Sequence, residues 1–277
     1  MQGKTAMTNA ADGVSVEEAS ALSSRLIYEV IRRDGQEELQ RPLNSLVWSG
    51  IAAGVLISFS LLGEAILRTY LADVPSRYLV ENLGYSFGFL LVILGRMQLF
   101  TENTITTVLP VVAEPTRRRL LQMARLWSVV LLSNVVGALA AALLFAHTPA
   151  LPVELLPAIG ELASHALGLA PLESFARAIP AGLLVAAIVW MLPQAHGSTF
   201  FVILTFTWLI AAGDFTHIVV GSVEMWYLII TGSLGAGGAL FGFFLPVLAG
   251  NVVGGTVIFT LLAWGQVKAE VGGAGRR

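Results

Sequence analysis

Four runs along the chain contain no Asp, Glu, Lys or Arg: Leu43–Gly63, Leu126–Leu151, Ala178–Gly213 and Met225–Val267. A helix needs about 20 mostly apolar residues to cross a bilayer, so the first two runs predict one span each. The third is too long for a single span, and Pro193-Gln194-Ala195-His196-Gly197-Ser198 divides it into two. Gly232, Gly235, Gly237, Gly238 and Gly242 split the fourth unevenly. That predicts a short interfacial segment near 225–235 and a full span over 239–264. Leu79–Pro110 is also apolar, interrupted by Arg96 and by Thr101-Glu102-Asn103. The pattern predicts an all-α membrane protein with six spans, near 45–68, 80–111, 118–146, 172–193, 198–221 and 239–265. A transmembrane domain over 45–267 then lies between an N-terminal segment, 1–44, and a short tail, 268–277.

Composition narrows the function. Of 277 residues, 56% are hydrophobic and 12% charged, against roughly 25% charged in a soluble domain. Sixteen Lys and Arg against eighteen Asp and Glu give a net charge of −2, so no basic surface suggests nucleic acid as a partner. The absence of cysteine excludes disulfides, thiolate metal sites, Fe–S clusters and thiol nucleophiles. Four scattered histidines argue against a multi-His metal centre. There is no His-Glu-x-x-His, Gly-x-Ser-x-Gly or Walker motif, so nothing points to an enzyme or to a bound cofactor.

Charge also sets orientation. Twelve of the sixteen basic residues fall in the N-terminal tail (Lys4, Arg25, Arg32, Arg33, Arg41), the second connection (Arg117, Arg118, Arg119, Arg125) and the C-terminal tail (Lys268, Arg276, Arg277). With six spans these regions share one side, which the positive-inside rule makes the cytoplasm. The third connection, His147–Pro171, has Glu154 and Glu161 but no Lys or Arg, as expected outside. Ser15-Val16-Glu17-Glu18 matches a capping box, and Leu22, Leu26, Ile27, Val30 and Ile31 follow at helical spacing before Gly35. They predict a short amphipathic cytoplasmic helix packed on the inner face. No basic start with an apolar core and cleavage site suggests a signal peptide.

The chain also resembles itself. Ile51–Ile57 resembles Ile179–Val185, Phe100-Thr101 recurs as Phe215-Thr216, and Asn134-Val135-Val136-Gly137 recurs as Asn251-Val252-Val253-Gly254. The matches come in the same order, separated by 115 to 128 residues. Three spans per copy force the second copy to insert upside down, giving a 3+3 inverted repeat. Such repeats place transport sites near the midplane, often at broken helices. Breaks are predicted in span two at Phe100–Asn103 and in span five at Gly213–His217. Polar residues at that depth are tolerated only against protein or a water-filled cavity. The half-helices after the breaks direct N–H groups inward, which suits an anion.

These residues resemble the formate/nitrite transporter family over about 45–265. Leu99-Phe100-Thr101-x-Asn103 is similar to the family's first signature, and Ala178-x-x-Ala181-Gly182-Leu183-Leu184-Val185 to its second. His217 stands where the family has its central pore histidine. Gly250–Gly255 is similar to the last-span segment whose asparagine hydrogen-bonds that histidine. The resemblance implies a homopentamer of aquaporin-like protomers, each with its own pore, in a bacterial inner membrane. It implies passive or proton-linked passage of small monovalent weak-acid anions of the formate, nitrite and hydrosulfide class. By the same resemblance Thr101 belongs to the loop breaking span two, Phe100 and Val185 form apolar constrictions, and His217 and Asn251 form the central pair. Glu102, Asn103 and Thr216 complete the expected substrate pathway. Gly182, Gln98 and Glu102 differ from the common family pattern, and a matching lysine is missing from the third connection, where His165 is nearest.

A bare charge costs about 2.5–3.5 kcal/mol or more at the bilayer centre, so crossing as the neutral acid is the economical route. His217, with an unperturbed pKa of about 6.5, suits lending a proton or holding positive charge. Structural alternatives exist: His217 as a buried histidine bonded to a loop carbonyl, Asn134 and Asn251 as glue between helices, Thr101 as a helix cap. Glu64, alone in span one, is expected near the outer surface or a subunit interface. The alternative function is a transport-incompetent membrane scaffold or regulator of the same fold, which Glu102 and Gly182 would favour.

Overall fold

The structure, a computed structural model, describes residues 22–273. The described chain opens on a helix cap. The Ser23 hydroxyl accepts the Leu26 N–H at 3.3 Å, and α1 (Ser24–Gln40) follows. The capping box at Ser15–Glu18 lies outside the described residues. Helix α1 does not stop at Gly35. It runs on to Gln40 because Gly35 rests against the Thr106 carbonyl, where any side chain would collide.

After α1 come α2 (Leu43–Tyr70) and α3 (Arg77–Leu94), the short α4 (Phe100–Thr106) and α5 (Val108–Ala113), and the long α6 (Arg117–His147). Then follow α7 (Leu156–Leu167), α8 (Pro171–Gln194), α9 (Thr199–Ala212), α10 (Ile218–Ile230) and α11 (Ala236–Glu270). Helices α2, α3, α6, α8 and α11 are long and apolar enough to cross a membrane, and α9 and α10 are shorter apolar helices. Local signals start several of them. Thr116 caps α6 by accepting the Arg119 N–H, and Pro171 supplies the pre-set φ of the first turn of α8.

Three boundaries differ from the sequence expectation. The interruption of span two lies at residues 95–99, and Phe100–Asn103 already form the first turn of α4. The segment after Met225 is not interfacial but the continuation of α10, which turns only at Gly232 (φ 75°). Most apolar residues of 218–230 are buried, Trp226, Ile229 and Ile230 being the partly exposed ones, so protein surrounds most of the segment. The third connection is not a plain loop, since α7 occupies half of it.

Helix α2 packs along α6, and α8 along α11. Both contacts are backbone-close. A Cβ on Gly54 would overlap the Asn134 carbonyl, and one on Gly182 would overlap the Asn251 carbonyl. Small residues permit such approach where lipid supplies no hydrophobic drive between helices. Helix α1 lies across one end of the bundle, where Ile27, Tyr28 and Ile31 pack with Ile105, Leu109, Ala186 and Val267. Helix α7 packs on α10 and the second half of α2. Leu132, Phe241 and Leu262 stay about two-thirds exposed, an apolar girdle suited to lipid or to a second subunit.

Candidate permeation site

Two interruptions meet in the middle of the molecule, and each is held by one asparagine. At residues 95–99, between α3 and α4, Asn134 of α6 accepts the Phe100 N–H at 2.9 Å and donates to the Gln98 and Gly50 carbonyls, each at 2.8 Å. At residues 213–217, between α9 and α10, Asn251 of α11 accepts the Ile218 N–H at 2.8 Å. It donates to the Ala178 carbonyl at 2.8 Å and the Thr216 carbonyl at 3.0 Å. Both asparagines are fully buried. Each amide supplies what a broken helix lacks: an acceptor for an orphan N–H and donors for two carbonyls. Each interruption also holds one non-glycine residue in the left-handed region, Arg96 (φ 51°) and Asp214 (φ 54°).

These bonds correct two expectations. Phe100 corresponds in hydrogen bonding to Ile218, and Gln98 to Thr216, so the match of Phe100-Thr101 with Phe215-Thr216 is three residues out of register. Asn251 does not bond the His217 ring, because its amide is consumed by backbone groups on either side of that residue.

His217 caps α10 instead. Its Nδ1 accepts the Val220 N–H at 3.4 Å, and its Nε2 lies 2.8 Å from Thr101 Oγ1 on α4. With Nδ1 an acceptor, a neutral ring carries its proton on Nε2 and donates it to the threonine oxygen. This is the direct polar contact between the two interruptions. Phe89 packs edge-on to the imidazole at 5.0 Å, and Phe100 packs edge-on to Trp127 at 5.6 Å.

The remaining expected pathway residues scatter around this pair. Thr216 donates to the Ser174 carbonyl at 2.9 Å and, with His217, lines a cavity of about 190 Å3. Asn103 donates to Gln98 Oε1 and to the Leu99 carbonyl, both at 3.2 Å. Gln98 Nε2 in turn donates to the Glu38 carboxylate of α1 at 2.8 Å. Burial pushes the Glu38 carboxyl up from its ordinary value, against the opposing pull of Arg41. Val185 is fully buried in α8 and Glu102 sits half-buried in the first turn of α4; neither lines the cavity.

The cavity brings together residues that the sequence does not connect, Glu224 and Tyr85 among them without any assigned role. Glu64, expected at an outer or subunit surface, and Glu224 both line it, as do Tyr85, Asp214 and His165. Glu224 lies inside an apolar run, Ile218–Ile230, and a single carboxylate at membrane depth was the available signal.

The model of the formate/nitrite transporter family matches residues 25–265. The chain belongs to the formate/nitrite transporter family. It is 46% identical over 245 residues to the inner membrane protein YfdC of Escherichia coli, covering 88% of this chain and 79% of that one. It is 30% identical over 246 residues to the formate channel FocA of Haemophilus influenzae, covering 79% of this chain and 84% of that one. In fold it is similar to a pentameric formate channel with formate bound (TM-score 0.70, 22% identity, 80% of this chain and 96% of that one). It is similar also to an ion channel of the same family (TM-score 0.73, 20% identity, 87% and 98%). The family is one of membrane transporters rather than enzymes.

Proposed function

We propose that this chain is a passive or proton-linked channel or transporter for small monovalent weak-acid anions of the formate, nitrite and hydrosulfide class. The observation that carries the reading is the Thr101–His217 contact, which joins two helix interruptions at the inner end of a cavity. The two asparagine frames support a 3+3 inverted repeat with helices two and five broken, and hence an aquaporin-like protomer. On this reading α4 and α10 begin at the pore midpoint, and their N–H-rich ends favour an anion there. The anion passes Phe100 and Val185 as the neutral acid, or with its charge compensated at His217. Thr101, Asn103 and Thr216 line the polar part of the route, and Glu102 stands at its mouth.

Gly182 fits this reading better than the scaffold alternative. Its place against the Asn251 carbonyl is a packing requirement of α8 on α11, so the glycine is not a disabled polar contact. The girdle of exposed apolar side chains and the family resemblance support a homopentamer. The clustering of basic residues supports cytoplasmic termini, and the similarity to YfdC supports a bacterial inner membrane.

The test is stopped-flow flux in proteoliposomes across formate, nitrite, hydrosulfide, acetate and lactate at several pH values, with His217→Asn in parallel. Flux of one or two acids, with a pH dependence that His217→Asn abolishes or remodels, is the expected result. An unchanged pH profile in the variant would remove the histidine from the mechanism. No flux from correctly assembled protein would favour the scaffold.

A further inference from the structure

The cavity that reaches His217 has the opposite electrical character from the pore midpoint. Glu64 and Glu224 line it, 6% and 7% exposed, and among the described residues neither carboxylate has a hydrogen bond or an ion pair. The bases nearby are engaged elsewhere. Arg68, which also lines the cavity, sits 2.6 Å from Glu81 but keeps a buried Nε without a partner, and Arg77 lies 3.4 Å from the other oxygen of Glu81. Arg177 pairs with Asp214 and Glu173, and His165 lies 3.0 Å from Asp214. The Tyr85 hydroxyl, on a side chain 6% exposed, lines the same space without a partner. Tyr85, Phe215 and Phe243 contribute aromatic side chains to the wall.

An anion entering here meets two carboxylates without hydrogen bonds, opposed in the lining by Arg68, which already pairs with Glu81. A cation bearing N–H groups meets the reverse: two carboxylates and a phenol oxygen as acceptors, and aromatic faces that attract positive charge. A metal ion such as Ca2+ wants six or more oxygens at about 2.3–2.6 Å, a denser cage than this half-apolar wall offers. We propose that the cavity binds a small ammonium-class cation, ammonium itself or a primary alkylammonium such as methylammonium, between Glu64 and Glu224. This site rests on the same cavity as the proposed weak-acid route, since His217 and Thr216 also line it.

The test is the thermal unfolding midpoint of the whole purified protein at fixed pH and ionic strength. Chloride salts of ammonium, methylammonium, potassium and N-methylglucamine are compared. A bound ligand raises the midpoint with concentration. The expected result is a saturable rise in ammonium and methylammonium, a smaller rise in potassium and none in N-methylglucamine. Glu64→Gln and Glu224→Gln should each lose the rise. Glu161→Gln, which changes an exposed acid on α7, should keep it. Equal midpoints for the wild type in all four salts would overturn the site without recourse to any variant. So would a rise that survives in both glutamine variants, or a potassium response exceeding the ammonium one. Weak-acid flux is read separately on the same preparation. Flux without a cation response defeats the cation site alone, and a cation response without flux defeats the transport reading alone.

Discussion

The interruptions at 95–99 and 213–217 share a frame and differ in their surroundings. In both, one buried asparagine from the last long helix of its half takes an N–H from the following helix and serves two carbonyls. Around the first, a chain of side chains, Asn103 to Gln98 to Glu38, ties the interruption to α1. Around the second there is a cavity, and the buried His217 lines it as the cap of α10. One frame is strapped shut by an added helix and the other is left open. The backbone device is therefore shared, and the two regions differ in what surrounds it.

The equivalence of the frames is open to direct attack. Asn134→Ala and Asn251→Ala should cause the largest losses, because each strands one N–H and two carbonyls in the interior. At about 1–3 kcal/mol per stranded group, each should cost on the order of 3 kcal/mol or more of stability in a detergent unfolding titration. A large cost at only one asparagine would break the comparison. Next come Gly54→Ala and Gly182→Ala, whose added methyls press on the Asn134 and Asn251 carbonyls. Overpacking of this kind costs about 1–3 kcal/mol, and equal shifts in unfolding midpoint are expected for the two.

The smallest effect sharpens the asymmetry, because it belongs to α1 alone. Glu29 accepts from Arg32 at 2.7 and 2.8 Å and from Arg33 at 3.0 Å. Arg32 first, and Arg33 with it, hold the Glu29 carboxyl down to about 2 from an ordinary 4.5. A depressed carboxylate contributes stability above its unfolded pKa and loses it as pH falls through the folded value. Glu29→Gln should therefore weaken α1 docking at pH 7 by less than about 1 kcal/mol, as for exposed ion pairs. The difference from wild type should fade between pH 4.5 and 2, as followed by proteolysis of α1 across that range.

Much of this was readable beforehand, and the misreadings have physical causes. Long uncharged runs announce spanning helices because the bilayer core permits little else, and α2, α6, α8 and α11 lie where those runs are. Asn134 and Asn251 were legible as a pair because each sits beside small residues in a repeated setting. Their bonding partners were not, since a side chain's hydrogen bonds depend on which carbonyls another helix brings near. Hence Asn251 was expected on the His217 ring and bonds the flanking backbone instead. The register of Phe100 against Ile218 was hidden because residue identity differs while the hydrogen-bond role is the same. Glu64 is expected from sequence near the outer surface or a subunit interface, and only the fold brings it into one cavity with Glu224, 160 positions away in sequence.

The asparagine frames also bear on the order in which the chain is assembled. Gly50, Gln98, Phe100 and Asn134 all precede α7, and Ala178, Thr216, Ile218 and Asn251 all follow it. No backbone group held by the first asparagine waits on a partner from the second half, whereas the Thr101–His217 contact forms only once the second half arrives. A ribosome that has released α6 into the membrane has released everything the first half needs to satisfy its own break. The second half then threads in beside a finished neighbour, and its last helix brings the amide that locks it.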